Sequence, residues 1–135
     1  MEVWKEIFKN IIPSDKYDAS IINSNVDGLK VMLTNDVYNI KLDFGIVSAV
    51  RMIDEGILLN GVYAEAQIEK YKKNNFSNVI YKICDGEFAN FIKNSSGGLY
   101  EYLGMQHYII VTLNSLIEVI SQWKPSIEVN IRSES

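Results

Sequence analysis

The chain has 135 residues, 47% hydrophobic and 22% charged, with a net charge of −4. That balance fits one globular domain with its own core and excludes a disordered or fibrous chain. The mild acidity argues against a general nucleic-acid binder, which needs a basic face, and the single cysteine, Cys84, rules out an internal disulfide.

Val3 to Ile12 predicts an amphipathic helix. Val3, Ile7 and Ile11 repeat at i, i+4 and i+8, with Trp4, Phe8 and Ile12 beside them. Pro13 ends it. The segment carries acids and no long apolar run, so it reads as neither a signal peptide nor a membrane span, and a cytoplasmic, reducing setting is the default. Ser14 to Asn25 is polar and gives no clear pattern. Asp27-Gly28 and Asn35-Asp36 are turn signals. Between and after them, Leu29 to Thr34 and Tyr38 to Phe44 alternate as half-buried strands.

The run after Gly45 is apolar on both sides through Ile53, which predicts a central strand over 46–54 covered on both faces. Short turns on either side suggest a meander of antiparallel neighbours from about Ser20 to Ile53. Val62 to Lys73 predicts a second helix, with Ala64, Ile68 and Tyr71 as its apolar stripe. Its terminal lysines Lys70, Lys72 and Lys73 suit a helix C-terminus.

Residues 78–84 form the next predicted strand, with Cys84 as a small, partly buried residue at its end. Asp85 then reads as the N-cap of a third helix with Phe88, Phe91 and Ile92 on its apolar face. Ser95-Ser96-Gly97-Gly98 closes that helix, and Leu99 to Leu103 adds a further turn. Strands follow over 107–113, 116–121 and 126–131. Glu118, inside the second of these, is expected to face water, and the last is expected at a sheet edge. The fold class expected is α+β: a single domain over 1–135, with an antiparallel sheet of about five to seven strands and about three helices, most of them on one face.

Reactive chemistry is sparse. With one histidine and one cysteine a structural zinc site is not available. There is no phosphate loop, dinucleotide fingerprint or nucleophile elbow, and so no cofactor is expected. His107 reads as a strand-end residue with a satisfied hydrogen bond. Carboxylates offer more: Asp54 and Glu55 at a strand end, Asp85 and Glu87 at a helix start, and Glu101 beyond. Neighbours such as Asp54 and Glu55 point to opposite faces of a strand and make a poor acid–base pair. Gathered on one rim, these acids would instead face a basic protein surface.

Several stretches carry a resemblance. They are YKICDGEFANFIKNSSGGLYEY from Tyr81, HYIIVTLNSLIEVIS from His107, the Trp-Lys-Pro break followed by SIEV, and FGIVSAVRMIDEG from Phe44. In strand-helix-strand order and aromatic placement they resemble the small immunity proteins that accompany bacterial contact-delivered toxins. The resemblance implies a protein without catalysis of its own that binds a cognate toxin and covers its active site. Many such toxins are nucleases with basic clefts, which an acidic rim would complement. Tight binding also needs aromatic anchors. The expected interface is Asp54, Glu55, Asp85, Glu87 and Glu101 as the charged ring, with Tyr63, Tyr100 and Tyr102 as anchors. Two further readings are a domain that self-associates through the last strand and a carboxylate-dependent hydrolase. The first is favoured by a concentration-dependent mass, the second by two acids meeting in a pocket.

Overall fold

A computed structural model describes residues 3–54, 79–113 and 115–132. In chain order the strands are β1 (Val3–Glu6), β2 (Asp18–Ser24), β3 (Gly28–Thr34), β4 (Tyr38–Gly45), β5 (Ala49–Asp54) and β6 (Ile80–Cys84). Two short helices follow, α1 (Glu87–Ser95) and α2 (Leu99–Tyr102), then β7 (Gln106–Val111), β8 (Ser115–Ser121) and β9 (Ser126–Ile131). The nine described strands form two antiparallel sheets, one ordered β1-β6-β7-β8-β5 and the other β2-β3-β4-β9. Among the described residues this is richer in strands and poorer in helices than the single sheet expected. The helix expected at Val62–Lys73 lies outside the described residues.

The sheets pack face to face. Alternate residues of β3 and β4 (Leu29, Val31, Leu33, Ile40, Leu42 and Phe44) meet Ile80, Tyr108, Ile110, Ile117 and Val119 of the larger sheet in one core. Phe44 and Tyr108 touch across it with ring centroids 5.7 Å apart. Full burial of each such side chain is worth about 1.5–3 kcal/mol. The other face of the larger sheet is also buried. Trp4, Tyr81, Ile83, Ile109, Val111 and Leu116 cluster there, and farther along Ile120 packs under Phe88 and Ala89 of α1.

The strand covered on both faces is β8, buried at every position, and not the stretch 46–54. The latter contributes only β5, the outer strand of its sheet among the described residues, with Ile46 and Met52 exposed. A bulge explains the departure from a simple meander. Leu29 pairs with Gly45 but Lys30 pairs with Asp43, so Phe44 is the extra residue. Gly45 then turns the chain at φ +67° and sends it to the other sheet. Gly28 packs so closely here that a Cβ would fall 2.1 Å from the Gly45 carbonyl carbon.

The N-terminal helix is also overturned. Val3–Glu6 is a strand paired antiparallel with β6, Trp4 opposite Ile83. The turn after it holds Phe8 and Asn10 at φ +55° and +67°. Val3, Trp4, Ile7 and Phe8 are β-branched or aromatic, and a sheet edge that offers pairing outweighs an accidental helical spacing. Trp4 is nevertheless a core residue, as expected. Cys84, expected to be partly buried, is exposed.

Candidate functional site

The densest polar chemistry among the described residues lies on the face of the larger sheet that α1 covers. Alternation on β8 puts Glu118 on the same side as Leu116 and Ile120, so it points inward and is fully buried. The expectation that it faces water fails for this reason. A carboxylate at such a position needs partners to offset lost hydration. Arg51, its register partner on β5, supplies Nε at 2.6 Å from Oε2. His107 of β7 supplies Nε2 at 2.7 Å from Oε1. An N–H must point at a carboxylate, which assigns the imidazole proton to Nε2.

The cluster continues to the surface. Arg51 Nη2 lies 2.9 Å from Oε2 of Glu87 at the start of α1, and its guanidinium carbon stands 4.5 Å above the Phe88 ring. Phe88 in turn meets the His107 ring edge-on, centroids 6.0 Å apart. Two strands, the central β8 and one helix thus lock together through one guanidinium and two carboxylates. Arg suits the bridging position because its planar fork can serve two carboxylates and stack on a ring at once.

His107 is inside β7 and 1% exposed. Its Nδ1 has no hydrogen-bond partner among the described residues and faces Gly86, where a Cβ would come within 2.7 Å of Nδ1 and Cε1. A general base has to present a nitrogen to substrate. Here one ring nitrogen is held by Glu118 and the other is pressed against backbone. The arrangement orients and braces α1 on the sheet. Among the described residues no group of three or more His, Cys, Asp or Glu is placed to hold a metal ion.

The expected interface residues divide. Glu55 and Tyr63 lie outside the described residues. Asp54 ends β5 opposite Ser115, at the far end of that strand from Ala49. Asp85, Glu87, Tyr100, Glu101 and Tyr102 come together on the cap formed by α1 and α2. Asp85 is not the N-cap: it sits at φ +59°, Gly86 caps the helix, and the Asp85 carboxylate accepts a hydrogen bond from Asn90 Nδ2 at 3.2 Å. Aspartate tolerates that left-handed conformation better than most residues. Glu101 is paired with Lys93 at 3.0 Å, and the hydrogen bond from that ammonium holds its carboxyl below the usual range. With Glu87 paired to Arg51, the rim is less negative than a count of acids implies. Tyr100 packs on the core beside α1, and burial pushes its hydroxyl up. Its ring is partly buried against that core.

The large apolar side chains exposed on this cap are others. Phe91, expected on the buried face of α1, is 63% exposed, and Leu99 at the start of α2 is 56% exposed. Phe88, Ala89 and Ile92 form the face that packs down. Spacing alone does not separate them, since Phe91 lies three residues after Phe88 and one before Ile92, and an i, i+3 pair can share a face. Compared with family models, curated proteins and solved structures, the chain matches none.

Proposed function

We propose that the protein is a stoichiometric binder of another protein, an immunity protein whose α1–α2 cap covers a cognate toxin. The observation that carries this reading is the pairing of exposed apolar side chains with a charged surround. Phe91 and Leu99 stand in water on the cap that also holds Asp85, Glu87 and Glu101. Exposed large apolar groups rimmed by polar ones are typical of a protein contact. Aromatic anchors supply most of the affinity in such contacts. The surrounding carboxylates speed encounter with a basic partner.

The partner expected is a toxin encoded beside this chain, with an apolar socket and a basic rim. The test is co-expression of the two, with cell survival and recovery of a one-to-one complex as readouts. Survival lost in the Phe91→Ala/Leu99→Ala variant, together with a slower association rate in Glu87→Lys/Glu101→Lys at low salt, is the result expected. A toxin that still kills in the presence of the unaltered chain overturns the reading. A second reading, self-association through β9, has its own support: β9 is the outer strand of its sheet among the described residues, and Ile131 is 76% exposed. A mass that rises with concentration and falls on Val129→Pro distinguishes it.

A further inference from the structure

At the β1 edge of the larger sheet, the side facing the second sheet changes character. On β6 that side carries Ile80, fully buried, and then Lys82, only half-buried. Lys82 stands directly opposite Lys5 on β1 and directly opposite Tyr108 on β7. An open cleft of about 490 Å³ forms over them. Its apolar wall is Phe8 and Ile11, from the turn after β1, and Lys124 reaches it from the β8–β9 connection.

Like charges placed opposite each other in a sheet destabilise it. Lys5 and Lys82 accept that arrangement in a chain whose net charge is −4, so the basic cleft does not come from a basic composition. A fourth lining lysine, Lys9, is paired with Glu6 at 2.8 Å. Among the described residues, Lys5, Lys82 and Lys124 form no ion pair and no carboxylate lines the cleft. Phe8 holds a left-handed backbone conformation at the cleft wall, a strain that bulky residues rarely adopt.

We propose that this cleft binds a small organic phosphate. The phosphoryl oxygens sit among the Lys5, Lys82 and Lys124 ammonium groups, and the apolar body of the ligand lies against Phe8 and Ile11. Three lysines that line one cleft, with no carboxylate among its described lining residues, favour a dianion over a monocarboxylate, and the flexible lysine stems suit a compact phosphoryl group. The bound anion also offsets the repulsion between Lys5 and Lys82.

The test uses phenyl phosphate as the probe, followed by calorimetry and by amide shifts of the full chain. Saturable one-site binding, with shifts at Phe8, Ile11 and Tyr108, is the result expected. Lys5→Gln/Lys82→Gln should weaken it at least about fivefold, whereas Lys30→Gln/Lys93→Gln, away from the cleft, should leave it unchanged. Lys124→Gln, which lies outside the strand ladders, gives the same readout if the first pair disturbs the sheet. No saturable binding at millimolar phenyl phosphate, or equal affinity in the cleft and control variants, overturns the proposal.

Discussion

Arg51 and Glu118 face each other directly across β5 and β8, their Nε and Oε2 atoms 2.6 Å apart, although 67 residues separate them in sequence. Glu118 is fully buried and its two oxygens are both engaged, whereas Arg51 retains Glu87 at the surface. The two ends of the pair therefore respond unequally to mutation. Glu118→Leu leaves a guanidinium and an imidazole N–H without their buried acceptor and should cost about 3 kcal/mol. Arg51→Met should cost at least as much, since it removes the cation that offsets a fully buried carboxylate, whereas Arg51 without Glu118 still keeps Glu87. The double variant should cost less than the two singles combined, by at least about 1 kcal/mol. Urea unfolding of the four proteins checks this, and strict additivity refutes the coupling.

That pair also marks the limit of what the sequence discloses. The alternation in Leu29–Thr34, Tyr38–Phe44 and Ile127–Ile131 is local, and the corresponding strands form where the pattern puts them. Which strands become neighbours is not local. The apolar run from Ile46 to Ile53 looks central because Ile46 and Val47, which belong to the crossing between sheets, are counted with a strand that begins only at Ala49. Glu118 looks solvated because glutamate usually is, yet LIEVI is apolar on both faces and leaves no wet side for it. Reading that stretch by face and not by residue type would have placed the carboxylate inside. The lysine cleft was beyond reach, because the opposition of Lys5 and Lys82 depends on a β1–β6 pairing that the helical spacing of Val3, Ile7 and Ile11 conceals.

Gly86 is a second point of tight fit. A Cβ there meets His107 Nδ1 and Cε1 at 2.7 Å and Ile83 Cγ2 at 2.8 Å, and neither side chain has room to retreat in a buried cluster. Gly86→Ala should therefore destabilise by about 2 kcal/mol, as overpacking does. In a His107→Ala background the imidazole atoms are gone, and the same change should cost less than about 1 kcal/mol. An unchanged cost in that background would mean that the helix start, and not the ring, sets the requirement for glycine.

Tyr17 should contribute to the loss of stability at alkaline pH. Its side chain is buried, its hydroxyl donates to the Pro13 carbonyl at 2.6 Å, and desolvation, aided by Asp15 and Tyr38, raises its pKa from 10.0 to about 12. The folded state holds this proton more tightly than the unfolded chain. The contribution is therefore complete below pH 10.0 and is lost progressively as pH rises toward about 12. Urea midpoints should fall across that window, and tyrosinate absorbance should show late-titrating groups, since burial also pushes the Tyr100 and Tyr108 hydroxyls up, with one of them lost in Tyr17→Phe. Tyr17→Phe should flatten the decline while lowering stability at neutral pH by about 1 kcal/mol, the worth of the lost hydrogen bond. A parent and variant with parallel declines would place the alkaline sensitivity elsewhere.

Phe88 and Phe91 share one short helix and carry opposite expectations. Phe88 is 9% exposed and bridges Arg51 and His107, so Phe88→Ala should cost about 3–4 kcal/mol in unfolding free energy. Phe91 is 63% exposed and makes no such contact, so Phe91→Ala should change stability by no more than about 0.5 kcal/mol. If the cap is the surface that grips a partner, the exposed ring carries binding energy instead, and its loss should weaken the complex at least about tenfold, mainly through faster dissociation. Surface plasmon resonance on the parent and the Phe91→Ala variant, with unfolding curves measured on the same samples, separates the two roles. A Phe91→Ala variant that binds as the parent does, with its fold intact, removes the cap from the interface.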